Sequence, residues 1–180
     1  MSALVQAIES YHAAYGHMPV SAAVQQAANS GSFTYGAIIP NSKSPSPIGT
    51  LLGGQVVLNS EVIAVLMDFT NYPGNPRQAT INTNPCLNPQ QTKFLNANLV
   101  SETSSSGIGP DLVYRDPWGT PYVITINLSE TNQCRDAFYG RPGLPASTRV
   151  MVWSAGPDKK INTSVLRGLA ENKDNVISWQ

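Results

Sequence analysis

YRDPWGTPYVITINL, residues 114–128, marks where the chain changes its periodicity. Pro117, Gly119 and Pro121 punctuate a turn, and the Val-Ile-Thr-Ile run after it is β-branched. A turn feeding such a run predicts a strand over 122–128. TRVMVW at 148–153 and NVISW at 175–179 share its composition and predict two more.

Upstream the pattern is helical. Leu4, Ile8, Tyr11 and Tyr15 recur at spacings of four, three and four, one stripe of a helix that Gly16 and Pro19 stop. This helix has no N-cap residue and starts in mid-pattern, as it would had an upstream segment been removed. Val20 to Leu58, punctuated by KSPSPIG and LLGGQ, reads mostly as loop, with AAVQQAA as a short helix. Asn59 is a cap candidate for a helix of about three turns carrying Val62, Ile63, Leu66, Met67 and Phe69. Asn88 and Pro89 in NPQQTKFLNANL repeat the start signal of a short helix, and SETSSSGIGPD at 101–111 is a loop. Helices first and strands last predict an α+β fold with an antiparallel C-terminal sheet.

A chain of 180 residues is most simply one domain. Lys plus Arg balances Asp plus Glu at 11 each, without blocks of either sign, which argues against nucleic acid as a partner. Charged residues make up 12% against 14 glycines and 14 prolines, a mixture that favours turns and leans toward an exported protein. The longest apolar run, VIAVLM at 62–67, is far too short to span a bilayer. Cys86 and Cys134 are the only cysteines. A disulfide between them would close a loop of about 49 residues and stabilise by roughly 4 kcal/mol; two separate thiols are the alternative.

Few motifs carry chemistry. His12 and His17 are the only histidines, with no HExxH spacing and no GxSxG elbow, so neither reads as catalytic. No phosphate-cradling glycine loop is present. At the C-terminus, Asp158, Asn162, Glu171, Asp174 and Asn175 place five oxygen-bearing side chains within 18 residues. Ca²⁺ takes six to eight oxygens in a flexible cage, but the EF-hand pattern fails at Lys160, so calcium and a turn closed by Asx hydrogen bonds both stand.

Three stretches together, ESYHAAYGHMP, YRDPWGTPYVI and SAGPDKKIN…KDNVISW, resemble in this order the soluble domain of the major pseudopilin of bacterial type II secretion systems and related prepilin-type proteins. The resemblance covers about half the chain; 20–112 has no counterpart and reads as an insertion. It implies a type IV pilin-like fold, with a long N-terminal helix packed on a small C-terminal antiparallel sheet and an irregular, partly helical insertion. One soluble domain then comprises the end of that helix (1–16), a variable region (17–112), and the sheet with its C-terminal loop (113–180).

The resemblance further implies a non-enzymatic filament subunit on the periplasmic side of the bacterial inner membrane. Its partners are other pseudopilin subunits and inner-membrane secretion components, and its membrane-anchoring helix has been removed. It also implies structural Ca²⁺ in the last loop, carried here onto Asp158, Asp174 and Asn175, with Asn162 beside them. Lys159 stands where the family has glycine, Asn175 where it has aspartate, and TSVLRGLAEN lengthens the loop. A secreted or surface-exposed binding module of minor-pilin type is the alternative expectation, and a hydrolase with carboxylates assembled in space a more remote one.

Overall fold

A computed structural model describes residues 1–29, 31–40, 45–129, 131, 133–134, 148–162 and 168–179. Of the expected long connection TSVLRGLAEN, residues 163–167 lie outside the described residues.

The first helix, α1 (Ser2–Tyr15), buries Leu4, Ala7, Ile8 and Tyr11 and ends at Gly16, whose φ of 74° is the left-handed conformation that closes a helix. The second, α2 (Ala22–Ala28), is capped by the Ser21 hydroxyl accepting from the Val24 N–H. The chain then extends as β1 (Ser32–Tyr35) and folds into the hairpins β2 (Ala37–Pro40)/β3 (Pro45–Ile48) and β4 (Leu51–Leu52)/β5 (Gln55–Val56). Helix α3 (Ser60–Leu66) is polar only in its first turn, at Ser60 and Glu61, and is buried from Val62 through Leu66. Two further pairs follow, β6 (Asn71–Tyr72) with β7 (Asn75–Ala79) and β8 (Gly107–Ile108) with β9 (Tyr114–Arg115).

The central sheet adds β10 (Val123–Asn127), β11 (Val150–Ser154) and β12 (Val176–Ile177) in the order β1-β10-β11-β12, antiparallel throughout. All five residues of β10 and of β11 are buried, because both faces of the sheet are covered. Ile124, Ile126, Val150 and Val152 join the residues of α1 and α3 in the main core. Val123 and Trp153 pack on the other face with Ala37, Ile48, Ala155 and Ile161. Leu4, Ile8 and Tyr11 sit in that main core too, so the stripe read from the sequence is the buried face of α1.

The pilin-like architecture expected from the resemblance does not hold. No long N-terminal helix packs on the sheet: α1 has 14 residues, and α2 and α3 have seven each. Gly16 turns the chain out of the helix, and Pro19, without an N–H to donate to the preceding turn, cannot continue it. Nor is the sheet wholly C-terminal, since its first edge strand is Ser32–Tyr35, inside a region expected to be mostly loop. That region spends its glycines and prolines on small hairpins.

Two local expectations fail for identifiable reasons. Asn59 precedes α3 but its side chain does not cap it. Its amide instead donates to the carbonyls of Tyr114 and Tyr122, each at 2.9 Å, and accepts from the Tyr114 N–H at 2.8 Å. The helix expected from Asn88 does not form. The Asn88 side-chain Oδ1 accepts from the Tyr15 hydroxyl and the Thr92 N–H, and the N–H groups of Phe94 and Leu95 both donate to the Leu66 carbonyl at the end of α3. Backbone donors that a helix would use internally are thus spent on tertiary contacts. The two cysteines are not bridged: Cys86 is exposed, and the buried Cys134 thiol lies 3.6 Å from the Thr125 carbonyl.

Candidate functional site

The end of β11 and the segment before β12 form the chemically richest part of the chain. They begin as paired strands, Trp153 opposite Ile177 and Ser154 opposite Val176, so the segments that diverge from this pair start side by side. After Ser154 the backbone turns at Gly156, whose φ is +71°. A Cβ there would lie 2.4 Å from the Asp174 carbonyl oxygen, so only glycine lets the two segments close to this distance.

The expected site residues fall into two sets of contacts, Asp158 with Asp174, and Asn162 and Asn175 around Asn172. The Asp158 N–H donates to Asp174 Oδ2 at 3.3 Å, and Asp158 Oδ1 accepts from the Lys160 N–H at 2.9 Å, the Asx turn that the sequence also allowed. The Asn162 N–H donates to Asn172 Oδ1 at 2.9 Å, and the Asn162 amide reaches Glu171 Oε2 at 3.4 Å. The Asn175 amide donates to Asn172 Oδ1 at 3.3 Å. Asp158 is exposed, whereas Asn162, Asp174 and Asn175 are half-buried.

Asn172 was not among the expected site residues, yet it joins the two segments. It is 1% exposed and also donates through its amide to the Asn162 carbonyl at 2.8 Å. The signal available in the sequence was the run Asn172-Lys-Asp-Asn175, in which only the last two residues match the family pattern. The 3₁₀ turn Ala170–Asn172 carries the side chain inward.

Asp174 Oδ1 is the feature that most directly invites a cation. It is a buried carboxylate oxygen without a hydrogen-bond partner among the described residues. An unpaired buried charge is costly, and a cation is one way to remove that cost. Among the described residues no three His, Cys, Asp or Glu side chains group as metal ligands. Asp158 and Asp174 are the two acidic residues in contact; with amide and backbone oxygens from the same two segments the donors are all oxygen, a chemistry that suits Ca²⁺ rather than zinc.

Behind this loop lies a second missed constellation. Asp116 is 0% exposed, and its Oδ1 accepts from the N–H groups of Trp118 and Thr120 at 3.0 and 2.8 Å. Its Oδ2 accepts from the Ser154 hydroxyl at 2.5 Å, and Ser154 Oγ in turn accepts from the Gly156 N–H at 3.0 Å. The Asp-Pro-Trp-Gly turn is therefore held chiefly by its aspartate, an Asx turn, with Pro117 exposed and Trp118 half-buried.

The remaining polar features lie elsewhere. His12 sits beside Arg149, with Nη1 at 3.1 Å from each ring nitrogen, and His17 Nδ1 lies 3.2 Å from the Met18 carbonyl. Both line a cleft of about 340 Å³ with Arg149 and Asn127. A cleft of about 440 Å³ beside the β6/β7 hairpin contains Asp111, which a bidentate pair at 2.9 and 2.6 Å binds to Arg115. Burial, the largest single effect, raises the Asp111 pKa, but the Arg115 hydrogen bonds, backbone hydrogen bonds and the Arg115 charge together outweigh it and hold the carboxyl below its ordinary value.

No protein-family model matches the chain, and no curated protein and no solved structure matches it significantly.

Proposed function

We propose that this protein is a structural, non-catalytic subunit of a cell-envelope filament of the type II secretion pseudopilus kind, whose C-terminal loop is locked by calcium. The observation that carries this is the convergence of two distant motifs on one loop. Asp116 of the Asp-Pro-Trp-Gly turn holds Ser154 at the start of the Gly-Pro-Asp loop, and Asp174 of the terminal motif closes onto Gly156 and Asp158. The proposal does not depend on the helix length that the resemblance led one to expect; it rests on these residues of the C-terminal half.

Asp158, Asn162, Asp174 and Asn175 would hold the ion, with Glu171 beside them. Bound calcium would supply the positive charge that lets the carboxylates crowd, and binding to the folded state alone stabilises that state. The protein's own contribution is to fix the two segments by the Asn172 and Asp174 hydrogen bonds. A subunit surface made rigid in this way can pack repeatedly along a filament on the periplasmic side of the inner membrane, against further subunits and inner-membrane secretion components.

The gene tests the filament assignment. Codons upstream of Ala3 that encode a short basic leader and about twenty apolar residues, the length of a spanning helix, are the expected result. A cleavable secretory signal there would instead favour a secreted binding module. One observation supports that second reading: all five residues of β7 are exposed, on a hairpin beside the larger cleft.

A further inference from the structure

A buried relay connects the Asp-Pro-Trp-Gly turn to the candidate cation loop. Each link is a defined contact: Trp118 and Thr120 N–H to Asp116 Oδ1, Ser154 Oγ–H to Asp116 Oδ2, and Gly156 N–H to Ser154 Oγ. Gly156 then lies against the Asp174 backbone, near enough that an added Cβ would also meet the Asp174 carboxyl carbon at 3.3 Å. Two residues on, the Asp158 N–H donates to the same carboxylate, whose other oxygen is the buried one without a partner.

Three properties make this more than ordinary packing. Asp116 and Ser154 are 0% and 2% exposed, so the relay does not exchange its bonds for water. The neighbouring Arg115 guanidinium is committed to Asp111, so the Asp116 carboxylate is met by N–H and O–H donors and stays oriented by them. And the Ser154 hydroxyl is spent twice, donating to Asp116 and accepting from Gly156, which fixes the direction in which the loop leaves β11.

We propose that Asp116 and Ser154 are positioning residues for a bound calcium ion, acting through Gly156 to set the Asp174 carboxylate. This rests on the calcium reading of the loop. Groups that orient metal ligands from behind commonly change metal affinity ten- to hundredfold when removed. Ser154→Ala deletes the hydroxyl, leaving Asp116 Oδ2 without its donor and the Gly156 N–H without its acceptor.

The test is calorimetric titration of the full chain with CaCl₂, with melting curves in calcium and in chelator. Ser154→Ala is expected to weaken calcium binding about tenfold or more and to shrink the calcium-induced rise in Tm. Ser154→Thr, which keeps the hydroxyl, is expected to retain near-native affinity. Asp116→Asn, which keeps the acceptor for Trp118 and Thr120 but changes the group facing Ser154, carries the same expectation of loss should Ser154→Ala not fold.

A Ser154→Ala protein that melts lower but binds calcium as tightly as the parent would overturn the positioning role alone. Equal loss in the alanine and threonine variants would do the same, since bulk and not the hydroxyl would then matter. A parent protein that takes up no calcium would overturn both this inference and the calcium reading beneath it.

Discussion

At Lys159 a lysine holds φ at 54°, in the left-handed region that costs an L-residue about 1–2 kcal/mol. The resemblance places glycine at this position, the residue that such a φ favours. Lys159→Gly relieves the strain but adds backbone freedom to the unfolded chain, an opposing term of about 0.5–1 kcal/mol. The expected net gain is about 0.5 kcal/mol, roughly 1–2 °C in Tm for a chain of this length, measurable by calorimetry. Gly156 is the converse case. Gly156→Ala combines a positive φ with a Cβ driven into the Asp174 carbonyl, and should lower the denaturation midpoint markedly.

Glu61 carries a pH signature. Burial raises its pKa above the ordinary 4.5, opposed by hydrogen bonds from Ser21 at 3.2 Å and Tyr35 at 3.4 Å. The folded state therefore binds this proton more tightly than the unfolded chain does, so its contribution is fully present below 4.5 and lost as pH rises through the folded-state value. Glu61→Gln keeps an acceptor oxygen and removes the titration. Denaturant midpoints between about pH 4 and pH 8 should fall less steeply for the variant than for the parent. What sequence conveyed about single residues was uneven. Asp158, Asp174 and Asn175 were marked by pattern, whereas Asn172 and Ser154 were not, because a polar residue's importance here comes from burial that only the tertiary fold supplies.

Among the elements, α1, α2 and the strands β10, β11 and β12 were legible because periodicity and turn residues agree there. The edge strand β1 was not. Its sequence SFTY is short, and what makes it a strand is pairing with β10, Phe33 opposite Ile126 and Tyr35 opposite Ile124. Asn59 and Asn88 show the same limit from the other side: both have the composition of helix caps, and both are used to satisfy backbone groups far away in sequence. Asn59 is 0% exposed and links α3 to β9 and to Tyr122 just before β10. Asn59→Leu removes its bonds and strands the Tyr114 N–H and Tyr122 carbonyl. A loss of about 2–4 kcal/mol is expected from deleting bonds to buried groups, read from urea midpoints at constant slope.

For the molecule as a whole, the sheet and its two covered faces are a rigid base from which the C-terminal loop is presented. The segregated helix-then-sheet plan failed because the middle region, where the helix α3 was expected and is found, also contributes an edge strand to the sheet. The motifs themselves survived that failure, since Asp116, Ser154, Gly156 and Asp174 meet irrespective of how long α1 is. A cation in the loop would join β11 to β12 and make the outer edge of the sheet part of the same cooperative unit. At a calcium concentration a hundredfold above Kd the linkage amounts to about 2.7 kcal/mol, or roughly 5–10 °C for a chain of this length.

The most direct test of the calcium-locked loop is therefore the melting temperature of the parent protein and of Asp174→Ala, each in calcium and in chelator. The parent is expected to melt several degrees higher with calcium, with Asp174→Ala indifferent to it. Identical parent melting curves in the two buffers would contradict the account.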